Sequence, residues 1–328
     1  MTDFKNEDVW LMQGNCLDRM KDIPDGSVDL VLCDPPYQTT KISWDSMIPF
    51  DSMWANIKRV LKPEGTVVLT AAQPFTSKLI LSNIRDYKYN YVWEKNNVTK
   101  FLSSKINPLS KHEDICVFIN SYEIEFANYL KEMRLLSGFS KSEMDRKLGS
   151  NTLYTFFEGR NLRGEVVYSK PNKEHYSILK VLLNLSSKWD HYIDKSRTFH
   201  HVGVVDVEKQ FKGKRVKHSN DSHYSFNSDG YTKEKEGFTT SILKFCSESN
   251  TIHPTQKPVA LMEYLINTYT NEGETVLDFT FGSGSTIKAA LNTNRKSIGI
   301  ELGKCEKKNH KYFGMDWTDV LIDQLDLK

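Results

Sequence analysis

Val28-Asp29-Leu30-Val31-Leu32-Cys33-Asp34-Pro35-Pro36-Tyr37 sets a short apolar run directly against a stiff acidic turn. An apolar run of this length, closed by prolines, reads as a strand buried on both faces of a parallel sheet. Outward from it, further apolar runs recur at Val9 to Met12, Thr66 to Thr70, Tyr89 to Trp93 and Ile115 to Ile119. Between the second and third strands, Met53, Trp54, Ile57, Val60 and Leu61 fall at helical spacing, and Pro63 and Gly65 close the segment. The pattern is strand, helix, strand, and it fades near Asn120. It resumes with a helix from Pro258 to Tyr269, a strand Thr275 to Leu277, a glycine-rich turn, a helix Ser285 to Leu291 and a strand Ser297 to Ile300. Both ends of the chain therefore read as parts of one parallel α/β sheet.

The middle has a different texture. Residues 125–187 predict helices at Phe126 to Leu136, Lys141 to Leu148, Asn151 to Phe157 and Lys173 to Leu185, with a capping box at Ser140 and Glu143 and punctuation at Gly138, Gly149 and Pro171. Two short helices joined by a tight turn suggest a helix-turn-helix. Residues 203–250 are polar and read as a long, partly irregular connection. The expected division is 1–122 as the first part of the catalytic domain, 123–250 as an insert, and 251–328 as the cofactor-binding part.

The chain has 328 residues with a net charge of +2. Residues 121–250 carry 21 lysines and arginines against 17 acidic residues, while the remainder carries 23 against 25. The basic excess thus lies in the middle, where a polyanion could bind. Mean hydropathy is −0.51, and no apolar run has the length of a membrane span. The start, Met1 to Asp8, lacks a signal peptide's basic flank and apolar core, which predicts a cytoplasmic protein. Cys16, Cys33, Cys116, Cys246 and Cys305 include no Cys-x-x-Cys pair, so reduced thiols are expected, with neither a disulfide framework nor a zinc site.

In an open parallel sheet ligands sit at the carboxyl ends of strands, so Asp34 to Tyr37 marks a site. An exocyclic amine on a nucleobase is a poor nucleophile because its lone pair is delocalised into the ring. The Asp34 carboxylate and the Pro35 carbonyl could accept both amine hydrogens and release that lone pair. Pro35 and Pro36 would stiffen the loop, and Tyr37 would offer a face on which an extruded base stacks. The tetrapeptide alone also fits a plain turn with Asp as its cap. A second signal is Asp278-Phe279-Thr280-Phe281-Gly282-Ser283-Gly284-Ser285-Thr286, which joins a strand to a helix whose free amides suit a carboxylate or phosphate. Glu301 ends the next strand, placed to grip a ribose diol. Nicotinamide and flavin sites share that spacing, but the third glycine of their fingerprint is replaced by Ile287.

Together these residues resemble the amino-group DNA methyltransferases, in the beta arrangement where the catalytic motif comes first, target recognition follows and the cofactor motif comes last. Gly14-Asn15-Cys16-Leu17, Gln73-Pro74-Phe75-Thr76-Ser77, Pro108-Leu109-Ser110-Lys111-His112-Glu113 and His253-Pro254-Thr255-Gln256-Lys257-Pro258 extend the match. The resemblance implies a Rossmann-like fold with a seven-stranded, mostly parallel sheet in permuted motif order. It also implies S-adenosylmethionine as cofactor and no metal, because a sulfonium is already an activated leaving group.

Carried over by position, Asp34 orients the amine and Tyr37 stacks on the base. Phe281, Gly282 and Gly284 contact the cofactor, with Asp278 and Asp34 nearby and Glu301 on the ribose. Ser285 or Thr286, with Lys257, holds the methionine carboxylate, and Asn15 stands where many relatives have Asp against the adenine edge. His253 either joins them or shapes the turn before Pro254.

The segment 125–187 resembles the helix-turn-helix of phage repressor-like domains. It would present Asn151, Thr152, Tyr154 and Thr155 to base edges and Arg160 and Arg163 to phosphates, with Lys212, Lys214 and Arg215 adding backbone contacts. The implied substrate is adenine N6 in a flipped base of double-stranded DNA, since Asp rather than Ser opens the catalytic motif. Cytosine N4 methylation and a DNA-binding regulator on an inactive scaffold are the alternatives. A second copy of the chain and a cognate restriction endonuclease are the further partners the resemblance raises.

Overall fold

The computed structural model describes residues 3–38, 46–99, 101, 104–120, 122–149, 156–157, 160–162, 165–167, 170–190, 193, 198–211, 231–236, 238–248, 251–253, 256–308 and 310–327. In chain order the first part contains β1 (Phe4–Lys5), β2 (Val9–Gln13), α1 (Cys16–Arg19), β3 (Val28–Cys33), α2 (Phe50–Val60), β4 (Leu61–Ala71), α3 (Phe75–Ser82), β5 (Tyr87–Thr99) and β6 (Ser110–Ile119). The middle contains α4 (Glu123–Ser137), α5 (Lys141–Leu148), β7 (Arg160–Leu162), β8 (Glu165–Val167), α6 (Lys173–Leu183), β9 (Val205–Phe211), β10 (Tyr231–Glu236) and β11 (Ile242–Lys244). The last part contains α7 (Val259–Tyr269), β12 (Thr275–Asp278), α8 (Ser285–Asn292), β13 (Lys296–Glu301) and α9 (Trp317–Gln324).

The main sheet has nine strands in the order β1-β2-β13-β12-β3-β4-β6-β5-β11. Its inner seven match the expected seven-stranded sheet, and the additions are a two-residue edge strand, β1, and a three-residue one, β11. Strands β2, β13, β12, β3 and β4 run parallel to one another, while β1 lies antiparallel to β2 and β6 lies antiparallel to both β4 and β5. The two ends of the chain meet where β3 pairs with β12, Val31 opposite Leu277. That antiparallel edge, the late strand β11 and the hairpin of β9 and β10 fall where periodicity gave no direction.

Alternation along β3 explains the layers, because successive strand residues face opposite sides. Leu30 and Leu32 pack with Leu261, Leu265, Ala289 and Ala290 of α7 and α8. Val31 and Cys33 pack with Met53, Ile57 and Val60 of α2 and Phe75 and Leu79 of α3. Asp29 is buried in the same strand and is neutralised by Lys62 at 2.7 Å, while it also accepts the Thr275 N–H. Helix α2 ends at Val60 rather than Leu61, which opens β4.

In the middle, Phe126, Leu130, Met144, Leu148, Tyr176, Leu179 and Trp189 form a hydrophobic cluster of their own. The capping box of Ser140 and Glu143 is formed, and Gly138 and Gly149 close α4 and α5 in the left-handed conformation their lack of a Cβ permits. Phe156 and Phe157 are helical and buried; the rest of the expected helix Asn151 to Phe157 lies outside the described residues. All five cysteines are free thiols. No helix among the described residues is long and apolar enough to cross a membrane.

Candidate functional site

A cavity of about 720 Å³ opens at the carboxyl ends of β2, β3, β12 and β13, where an open α/β sheet binds ligands. It gathers Asn15, Asp34, Pro35, Pro36, Tyr37, Lys257, Asp278, Phe281, Gly282, Ser285, Thr286 and Glu301 into one wall. Residues from both ends of the chain thus share one site, as the motif order requires.

At one end of the cavity stands Asp34, immediately after β3. The Tyr37 hydroxyl donates to Asp34 Oδ1 at 2.6 Å and lies 2.8 Å from Thr70 Oγ1. Thr70 also donates to Asp34 Oδ1. Tyr37 stacks on Phe75, with ring centroids 5.0 Å apart and planes at 27°. Asp34 Oδ2 takes Lys257 Nζ at 2.6 Å, and that ammonium lies 3.3 Å from Glu113 Oε2. Glu113 Oε1 pairs in turn with Lys95 at 3.0 Å. Burial works against the Lys257 ammonium, but the Asp34 and Glu113 carboxylates outweigh it and hold its pKa above the ordinary value. Lys257, expected on the cofactor's carboxylate, is therefore bound to Asp34 in this structure.

The glycine turn forms the other end. Glu301 accepts the Gly282 N–H on Oε2 at 2.8 Å and the Leu302 and Gly303 N–H groups on Oε1 at 2.9 and 2.8 Å. A carboxylate offers about four acceptor sites, so a position on Oε2 remains for a ribose hydroxyl. Burial pushes the Glu301 carboxyl above its usual range, and the backbone amides pull it back. Asp278 is buried and accepts the Thr280 N–H at 3.1 Å. Desolvation raises its pKa to about 7, against the Thr286, Thr280 and Cys33 hydrogen bonds that lower it. Thr280 ties the two motifs together, with its hydroxyl donating to the Asp34 carbonyl at 3.2 Å and lying 2.9 Å from Cys33 Sγ.

Ser285 supplies a direct test of the cofactor. Ser285 lines the cavity at the start of α8, and its buried Oγ has no hydrogen-bond partner among the described residues. A buried hydroxyl left unpaired costs stability, and beside the free amides of a helix start it suits an incoming carboxylate. The residues present fit an amino-acid cofactor on these grounds.

Gly284 is not among the lining residues. It begins α8 at φ +82°, and a Cβ there would come within 2.7 Å of Leu321 Cδ2, so its place in the fold is close packing against α9. Asn15 lines the cavity, but its side-chain oxygen caps α1 by accepting the Leu17 N–H at 2.9 Å, which leaves the amide NH2 to reach a ligand. His253 lies edge-on to Trp317 at 5.4 Å, and burial lowers its pKa to about 4.

Of the expected DNA contacts, Asn151, Thr152, Tyr154, Thr155, Arg163, Lys212, Lys214 and Arg215 lie outside the described residues. Arg160 falls in β7, paired opposite Val167. Thr70, Lys95 and Glu113 are cavity residues to which the sequence reading gave no role. Lys95 had a signal, since Tyr91, Trp93 and Lys95 alternate on one buried face of β5. Glu113 sits in a quoted motif, yet nothing local says which strand end it meets.

The family described as DNA methylase, of the N6/N4 amino-methyltransferase group, matches residues 28–310. The chain is 23% identical to the type II methyltransferase M.HpaI of Haemophilus parainfluenzae, over 95% of this chain and 78% of that protein. It is 25% identical to the DNA adenine methyltransferase YhdJ of Escherichia coli K12, over 92% and 81%. Other curated relatives are longer, and the chain spans about half of their length. Among solved structures, that of the M1.HpyAVI–SAM complex shows 16% identity and a TM-score of 0.48, covering 96% of this chain and 99% of that one.

Proposed function

The chain belongs to the N6/N4 DNA methylase family, and from that premise we propose that it methylates the exocyclic N6 amine of adenine at a specific site in double-stranded DNA. S-adenosylmethionine, when bound, supplies a methyl group already activated on a sulfonium. The chain's residues supply position and lone-pair release. Asp34 and the Pro35 carbonyl receive the amine hydrogens of the extruded base, and the freed nitrogen lone pair would form the new N–C bond as the S–C bond to that methyl breaks, its electron pair staying on sulfur as a neutral thioether. The methylated nitrogen, cationic at that point, would pass one proton to the Asp34 carboxylate and from there to solvent. Glu301, Ser285 and the amides at the start of α8 hold the cofactor's ribose and carboxylate, while Phe281 and Gly282 line its bed.

The observation that carries this reading is one cavity lined both by Asp34 and by Ser285, whose hydroxyl has no hydrogen-bond partner among the described residues. Adenine is preferred because Asp opens the catalytic motif, and the likeness to a DNA adenine methyltransferase agrees. The insert, residues 123–250, reads the target through its helix-turn-helix and basic run. The protein works in the cytoplasm, with a second copy and a cognate endonuclease as the partners this reading adds.

Transfer of labelled methyl to unmethylated DNA, followed by nucleoside chromatography, tests it. N6-methyladenine confined to one short sequence is the expected product. N4-methylcytosine overturns the base assignment, and no transfer by folded protein that binds DNA favours the regulator.

A further inference from the structure

Four charged side chains from separate parts of the chain alternate in sign along the cavity wall: Asp34, Lys257, Glu113 and Lys95. Lys257 and Lys95 are buried, at 7% and 9% exposure. The spacing within this row is uneven. Lys257 Nζ is 2.6 Å from Asp34 Oδ2 but 3.3 Å from Glu113 Oε2, and among the described residues that Glu113 oxygen has no well-formed hydrogen bond. The ammonium is thus held closely by Asp34 and loosely by Glu113, an asymmetry that calls for an explanation.

Asp34 supplies one. Its Oδ1 is engaged by the Tyr37 and Thr70 hydroxyls, so Oδ2 is the oxygen left to receive a substrate amine. Lys257 already stands there. An ammonium is a compact donor on a flexible stem, so it mimics the amine in charge preference and hydrogen-bonding direction. Shifting it toward Glu113 takes a displacement of about 1 Å and no change in the pairing of charge.

We propose that Lys257 holds the amine's seat on Asp34 in the free protein, and that Glu113 Oε2 receives the ammonium when the base enters. Lys257 and Glu113 are then positioning residues for the amine. The handover has a second consequence at the reacting nitrogen, which is cationic until it sheds its proton. With the ammonium drawn to Glu113, the Asp34 carboxylate faces that developing charge without a competing cation at hydrogen-bond distance. Lys95 completes the row by holding Glu113 Oε1, which fixes the receiving carboxylate.

This inference rests on the proposed methyl transfer, and epistasis tests it. Glu113→Gln keeps the shape but removes the receiving charge, so Lys257 stays on Asp34. Its kcat on unmethylated plasmid DNA is expected to fall about a hundredfold, with S-adenosylmethionine affinity by calorimetry unchanged; loss of a buried ion-pair partner lowers the melting temperature, so kcat is read well below it. Adding Lys257→Met vacates the seat, and the double variant should recover kcat about tenfold over Glu113→Gln. A pair that only stabilises the fold gives no such rescue. A double variant no more active than Glu113→Gln, or a Glu113→Gln protein with wild-type kcat, overturns the proposal. If Glu113→Gln does not fold, Glu113→Asp replaces it, with an intermediate kcat as support and wild-type kcat as refutation. Folded wild-type protein that transfers no methyl overturns the underlying activity instead.

Discussion

Lys257 and Asp34, 223 positions apart in the chain, meet at 2.6 Å on the floor of the cavity. The pair joins the motif that follows β3 to the loop that enters α7. It commits one oxygen of the Asp34 carboxylate to a buried cation, while the other is held by Tyr37 and Thr70. Both this end of the cavity and the glycine turn opposite it respond to single substitutions in ways the geometry specifies.

Asp34→Asn keeps the volume and removes the charge on which amine alignment depends. Methyl transfer should drop by about a thousandfold, within the range typical of a lost acid–base or electrostatic group. Cofactor binding, measured by calorimetry, should persist, because Glu301 and the start of α8 keep their own hydrogen-bonding groups. Equal loss of both would show that Asp34 acts mainly in holding the fold of the site.

Gly284→Ala meets two penalties at once: a positive φ of +82° and collision with Leu321. Urea unfolding should show a loss of about 2 kcal/mol or more. Leu321→Ala costs about 2–5 kcal/mol by itself, but the double variant should lose less than the sum, because the collision is removed and only the backbone strain remains. Additive losses in the double variant would contradict the packing account.

Asp278 and His253 make opposite contributions to stability as pH changes. The Asp278 pKa rises from 3.8 to about 7 on folding, so between those values the folded state binds more protons. Its contribution is full below pH 3.8 and is lost as pH rises through 7. His253 falls from 6.5 to about 4, so its contribution is present above pH 6.5 and is lost as pH falls through 4. Asp278→Asn removes the first dependence alone. Its gain in melting temperature over the wild type should be larger at pH 7.5 than at pH 5. A gain independent of pH would mean that Asp278 titrates alike in both states.

The basic run is tested by salt. Replacing Lys212, Lys214 and Arg215 with Ala should weaken DNA binding and lessen the slope of log affinity against log salt by about 0.9 for each phosphate no longer neutralised. An unchanged slope, measured by fluorescence anisotropy on a nonspecific duplex, would remove these residues from the DNA surface.

What the sequence determined by itself is local and periodic. The apolar character of Val28 to Cys33 on both faces, the helical spacing of Met53 to Val60, the Ser140 to Glu143 box and the glycine turn before Ser285 all express preferences set within a few residues, and each is present in the structure. The two acidic motifs could also be placed at strand ends, because a buried strand followed by a turn defines which end a ligand meets. The edge of the sheet was not legible in this way. The direction of β6 and the late arrival of β11 depend on which backbone neighbours are free to pair, and side-chain pattern carries no sign for parallel or antiparallel pairing.

Only the tertiary structure decided the electrostatics of the site. Lys257 was legible as a site residue, but its partners are chosen by strand order: β3 beside β4 and β4 beside β6 bring Asp34, Thr70 and Glu113 to one edge of the cavity. Glu301 likewise was legible as an acid at a strand end, yet its hydrogen bonds to the Gly282, Leu302 and Gly303 amides arise from the fold of two turns against each other. A charge's role depends on what lies within a few ångströms, because Coulomb and hydrogen-bond interactions fall off over that distance and burial magnifies them. Chain order records none of those distances.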